Sequence, residues 1–124
     1  MPRFSATLLE HACHPRNAGD MPSPDAVGSS DPDSRAPKVW LYLRIEAGRV
    51  LEARFQSSGC GCTIACCSVL TELLKGRTLS ECGHITAKSL ADALGGIPAD
   101  KCFSADLAIR AMENVLDAWE DALN

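Results

Sequence analysis

Four of the seven cysteines in this 124-residue chain fall within eight positions, at Cys60, Cys62, Cys66 and Cys67. The array C-x-C-x-x-x-C-C follows Gly59 and leads into an apolar segment of helical period, so it lies at a loop-to-helix junction. The start of a helix offers free N–H groups and partial positive charge, which favour the thiolate that binds metal or attacks a disulfide. Cys62 and Cys66 are one turn apart and share a face, and Cys60 can fold back toward them. Cys102, just before the last apolar-periodic segment, can be brought in from another part of the chain. The candidate metal ligands are therefore Cys60, Cys62, Cys66 and Cys102, with Cys60, Cys62 and Cys102 as the set for a bound cofactor. Cys60, held between two glycines, has no packing reason to be there. Cys67 falls on the apolar stripe and reads as core, because cysteine behaves as a small hydrophobe. Cys13 and Cys82 have no partner pattern, and the three histidines, His11, His14 and His84, are left outside the ligand set.

The rest of the composition limits the setting of this chemistry. A length of 124 residues with 46% hydrophobic and 23% charged residues fits one globular domain spanning 1–124. Sixteen acids against twelve Lys and Arg give a net charge of -4, the wrong sign for a phosphate-neutralising nucleic-acid binder. No apolar run approaches the roughly 20 residues that span a bilayer, and positions 1–17 lack a signal-peptide core, so no membrane is expected and the location is read as cytoplasmic. In that reducing compartment a cysteine-rich chain points to metal or redox chemistry rather than to a disulfide framework.

The elements that position the thiols follow from periodicity. Positions 4–13 predict a short helix with Ser5 as N-cap and a stripe of Leu8, Leu9 and Ala12, ended by His14-Pro15. Positions 17–37, rich in Gly, Pro, Ser and Asp, read as a long mobile loop. Val39 to Glu46 alternates with Leu41, Leu43 and Ile45 inward, Ala47-Gly48 makes a turn, and Val50 to Gln56 returns with Leu51, Ala53 and Phe55 inward, giving an antiparallel hairpin. A helix is expected over 63–75, stopped by Gly76, then a capping box at Thr78 to Glu81 and a short helix over 88–94. The last helix runs from about 104 to 123 with Ala108, Met112, Val115, Leu116 and Trp119 inward. The fold class is α+β, a small antiparallel sheet packed against helices.

Three strings resemble a known family: H-x-x-x-P-R-N-x-G from His11 to Gly19, G-C-G-x-x-I-A from Gly59 to Ala65, and S-x-x-T-E-x-x-K-G from Ser68 to Gly76. Together they look like the IscU/NifU/SufU iron-sulfur cluster scaffolds, and the resemblance covers nearly the whole chain. It implies a non-enzymatic platform that takes sulfur from a cysteine desulfurase, holds iron or a transient [2Fe-2S] cluster, with zinc as an alternative metal, and passes the cluster to apo-proteins. Because such ligands come from separate loops, a cluster shared within a homo-oligomer is a further implication. The family pattern has cysteines in C-G-D, G-C-G and H-C-S segments, and this chain keeps the middle one as Cys60. The C-G-D segment falls on Arg35-Ala36-Pro37, with Asp31 and Asp33 the nearest acids, and the H-C-S segment falls on Phe103-Ser104-Ala105, just after Cys102. The family's proline-rich docking segment is partly represented by Ile97 to Lys101. An alternative is a degenerate homologue that docks on the desulfurase and accepts sulfur, or regulates, without building clusters. A third reading pairs Cys60 or Cys62 with Cys102 as a thiol redox sensor.

Overall fold

A computed structural model describes residues 3–36 and 38–123. The elements run α1 (Ala6–Cys13), β1 (Ala26–Ser29), β2 (Val39–Glu46), β3 (Arg49–Ser57), α2 (Gly61–Leu74), α3 (Leu79–Cys82), α4 (Ala87–Ala93), one 3-10 turn (Ala99–Lys101) and α5 (Phe103–Leu123). The α+β class is as expected from the sequence, with a sheet of three antiparallel strands in the order β1-β2-β3. The segment read as a loop from 17 to 37 needs correction in its middle: Ala26 to Ser29 form β1, paired with Leu43 to Trp40. Ala26, Gly28 and Ser29 around a single Val27 have too little pattern to announce a strand, and what makes them one is the edge of β2 together with α5 lying over them. Pro37, within that segment, lies outside the described residues.

The hairpin registers Leu41 with Phe55 and Leu43 with Ala53, and then slips: Arg44 pairs with Glu52 and Ile45 with Val50. The extra residue is Leu51, which the bulge turns outward to 48% exposure while Val50 is buried. The alternation expected Leu51 inside; a period-2 count carried through a bulge inverts every residue beyond it. The turn places both Ala47 (φ 52°) and Gly48 (φ 74°) in the left-handed region, the twist that two-residue hairpins need.

The helices cover one face of the sheet, α5 on β1 and β2, α2 on β3, α1 on α2, and α4 against α2 and α5. α5 approaches β1 so closely that a Cβ built on Gly28 would stand 2.3 Å from the Val115 backbone nitrogen. Only glycine permits that crossing, and the Asn114 side-chain N–H completes it by donating to the Ser29 carbonyl at 2.7 Å. On the other side of the sheet, Phe55 exchanges hydrogen bonds with Asn17 and Gly19, and Val50 with Gly76 and Arg77.

Two of the strings that carry the resemblance bond to each other. The Arg16 N–H donates to the Ser68 Oγ at 2.8 Å, the Asn17 amide donates to the Thr71 Oγ1 at 3.0 Å, and the His11 Nδ1 lies 2.7 Å from the same Ser68 Oγ. The Glu72 carboxylate lies 3.4 Å from Nε2 and only accepts, so the ring proton is assigned to Nε2 and Nδ1 accepts the Ser68 hydroxyl hydrogen. His11, with Leu8, is the buried side of α1, whereas Leu9, expected in the stripe, points out at 45% exposure.

Two predictions follow from these contacts. Gly28→Ala must separate β1 from α5 backbone and should cost about 1–3 kcal/mol or more, read as a lowered urea midpoint. Burial pushes the His11 pKa below 6.5, against the pull of the Glu72 carboxylate and with the help of Arg16, while Glu10 opposes. The unfolded chain therefore takes up this proton at higher pH than the folded one. Stability should fall as pH drops below about 6.5 toward the lowered folded pKa, and His11→Gln should lose that increment of slope in denaturation midpoints collected from pH 7.5 to 5.

Candidate functional site

The helix expected to begin at Thr63 begins two residues earlier, which makes Cys60 itself the N-cap of α2. Its backbone is extended (φ -74°, ψ 175°) and its carbonyl accepts from the Ile64 N–H at 3.0 Å. The exposed Sγ lies 3.6 Å from the Thr63 Oγ1 and 3.8 Å from the Ser104 Oγ, and the Thr63 hydroxyl donates to Ser104 at 3.0 Å. When Thr63 donates to Ser104, the Ser104 hydrogen is free for the sulfur, so the two buried hydroxyls form a short relay ending on Cys60. The sulfur makes no cap hydrogen bond of ordinary length, yet the open helix end presents N–H groups that favour its anion. Partial burial alone would raise the Cys60 pKa. The Thr63 N–H, the Thr63 hydroxyl acting through Ser104, the Ser104 hydroxyl and the Cys62 N–H outweigh it and lower the thiol to about 7.

The glycines on either side of Cys60 are not equivalent. A Cβ on Gly59 would stand 2.8 Å from the Thr63 Cβ and 2.9 Å from its Oγ1, so any larger residue there would displace the hydroxyl that faces the sulfur. A Cβ on Gly61 would meet only the Ala12 Cβ at 3.7 Å, an ordinary contact.

The other predicted ligands have different surroundings. Cys62 and Cys66 share the face expected of them, but it is the inner face. Cys62 is 5% exposed and burial pushes its thiol up, with the Cys60 charge adding and Lys101 and Arg3 opposing. Cys66 is fully buried, and burial, reinforced by the charges of Cys62, Cys60 and Cys102, pushes it up to about 12. Cys67 is core, as expected, and burial raises its pKa too. Cys102 is exposed at the end of the 3-10 turn, 3.7 Å from the Pro98 carbonyl, and Cys13 is also exposed. Cys82, the last residue of α3, is buried. Among the described residues no three His, Cys, Asp or Glu side chains converge as a metal site. Of the four predicted ligands, Cys60 and Cys102 are therefore the exposed thiols, and Cys62 and Cys66 are buried, which is not the closed cage of a structural metal site.

Ser104 and Thr63 were not among the residues picked out in the sequence. The signal for Ser104 was present, since it occupies the place of the cysteine in the H-C-S segment. Thr63 stands three residues after the N-cap, the spacing of capping partners. The 3-10 turn before Ser104 is tied to the N-terminal segment by Arg3, which pairs with Asp100, and α4 is tied to it by the Ser5 hydroxyl on the Leu94 carbonyl. Lys101 also lies over the half-exposed Phe103 ring, 5.9 Å from its centroid.

Residues 3–123 match the family described as the NifU-like N-terminal domain. The chain belongs to that family. Iron-sulfur cluster assembly scaffold protein IscU 1 of Archaeoglobus fulgidus is 32% identical to it over 113 residues, covering 91% of this chain and 74% of the relative. Nitrogen fixation protein NifU of Cereibacter sphaeroides is 41% identical over 107 residues, covering 86% of this chain but only 44% of that longer protein. The crystal structure of a NifU-like protein (N-terminal) from Brucella abortus superposes with a TM-score of 0.69 at 19% identity, over 94% of both chains, and supports the fold. No helix among the described residues is long and apolar enough to cross a membrane.

The relay predicts a titration. Thr63→Val and Ser104→Ala should each move the Cys60 pKa back toward the ordinary thiol value of 9, whereas Thr63→Ser should preserve it. Since one pKa unit is a tenfold change in thiolate fraction below the pKa, alkylation at pH 6.5 should slow roughly three- to tenfold in the first two variants. Peptide mapping of the alkylated protein would assign the rate to Cys60.

Proposed function

We propose that this chain is an iron-sulfur cluster assembly scaffold of open design, a platform and not an enzyme, with Cys60 as its anchoring ligand. The observation that carries this is the Cys60 thiol, exposed, lowered to about 7 and held at the α2 N-cap by Thr63 and Ser104. The family and the scaffold names of its relatives support the same reading. Cys62 and the exposed Cys102 are the thiols proposed to close on iron or a transient [2Fe-2S] cluster beside Cys60, zinc being the competing ion. Cys66 would join them only if the first turn of α2 opened. A labile shell of this kind suits a cargo that must leave again, and it works in a reducing compartment such as the cytoplasm. A cysteine desulfurase is the proposed sulfur source and apo iron-sulfur proteins the recipients. A second copy of the chain is the proposed source of missing ligands where Arg35-Ala36-Pro37 supplies no thiol.

Anaerobic reconstitution with ferrous iron and sulfide tests this. Wild type should gain visible charge-transfer absorption and protein-bound iron, Cys60→Ser should gain neither, and Cys102→Ser should lose its iron faster on gel filtration. Wild type that takes up no iron or zinc would sink the scaffold reading.

A second reading is favoured by one observation: the relay stabilises the Cys60 thiolate without any metal. Such a thiolate can attack the outer sulfur of a desulfurase persulfide, R–S–SH. The S–S bond breaks, R–S⁻ leaves, and Cys60 becomes Cys60–S–SH. Metal-free persulfide transfer to Cys60, detected by mass shift, in a protein that fails reconstitution would decide for this reading.

A further inference from the structure

We propose that the groove between α3 and the C-terminal half of α5 is a docking site for a cationic amphipathic helix of a partner protein. The groove encloses about 530 Å3, with Leu79 of α3 and Leu116 and Trp119 of α5 supplying its apolar lining and Glu113, Asp117 and Glu120 its charge. No basic side chain lines it, and none of the three carboxylates has an ion-pair partner among the described residues. It shares no residue with the Cys60 relay.

The charge is placed against the needs of the fold. α5 holds five acids (Asp106, Glu113, Asp117, Glu120, Asp121) and one base, Arg110; the remainder of the chain has eleven of each, so the whole net charge of -4 resides in this helix. Glu113 and Asp117, then Asp117 and Asp121, repel at i,i+4, and Asp117 and Glu120 repel at i,i+3. The last turn lies at the negative pole of the helix and contains no basic residue to compensate. A surface tuned for helix stability alone would place lysine or arginine there. Such a local conflict with stability is a mark of a site selected for something else.

The occupant follows from the two chemistries of the groove. Apolar residues on two helix walls accept side chains spaced at i, i+3 and i+4 from a third helix. Carboxylates spread over two turns of α5, roughly 10 Å, match Lys or Arg on two successive turns of that helix. A second copy of this chain placing the same groove opposite would set acid against acid, and nucleic acid or an anionic bilayer would be repelled for the same reason.

The test uses Trp40→Phe protein, in which Trp119 is the sole tryptophan, and a tryptophan-free amphipathic peptide of leucine and lysine about four turns long. The lysine peptide should shift the Trp119 emission with saturation and bind more weakly as salt rises, and the same peptide with glutamate for lysine should not bind. Glu113→Gln with Asp117→Asn and Glu120→Gln should weaken binding by about tenfold or more, and Leu116→Ala should weaken it at every salt concentration. Neutralising the exposed Asp20, Asp33 and Glu46 together should leave the affinity unchanged. Equal loss in both triple variants would reduce the effect to general attraction and overturn the proposal, as would equal binding of the glutamate peptide, no binding at all, or self-association that the groove variant abolishes.

Discussion

α2 is buried on nearly every side, and the rest of the structure depends on that constraint. Ten of its fourteen residues are inaccessible, because α1, β3, α4 and α5 all pack on it. A helix enclosed in this way must be apolar all round, and its few polar groups must be paired. Ser68, Thr71 and Thr63 meet the second demand by bonding to the 11–17 segment and to Ser104. Cys62, Cys66 and Cys67 meet the first as compact, polarizable packing residues between close neighbours. The only end of α2 that reaches solvent near a thiol is its start, and Cys60 stands there.

The density of cysteines therefore has two separate origins. At Cys66 and Cys67 sulfur fills space, and burial keeps the thiol protonated far above neutral pH. At Cys60 the same element is chemically competent, since the helix start and two hydroxyls favour its anion. Sequence spacing placed all of them at one helix junction correctly, but spacing alone does not distinguish the inner face of a helix from its mouth. Burial of the surrounding elements makes that distinction, and it is a tertiary property.

Other parts of the fold divide along the same line. The hairpin and the Thr78 capping box were legible because each depends on local period or local hydrogen bonding, and each recurs in the structure, whereas of the expected α5 stripe Ala108, Met112 and Val115 are buried and Leu116 and Trp119 only partly so. β1 was not legible, since Ala26 to Ser29 owe their strand conformation to β2 beside them and α5 across Gly28. The inward position of Val50 was lost for a related reason: one bulge at Leu51 reverses the faces. In the site, Cys60 was found by its unexplained place between glycines. Ser104 was seen only as a missing cysteine, because the hydroxyl acquires its role through a contact 44 residues away in sequence.

The contacts at the two sheet borders bear on how copies of this chain can meet. A three-stranded meander normally leaves two strand borders open to pairing with another chain. Here the Asn114 amide of α5 donates to the Ser29 carbonyl of β1, and β3 is held at Phe55 by the 17–19 segment and at Val50 by Gly76 and Arg77. Strand addition from a neighbouring molecule would have to break a side-chain hydrogen bond on one side and two backbone clamps on the other. Encounters between copies are thus steered away from irreversible β-stacking, and association through side chains and sulfur can remain reversible.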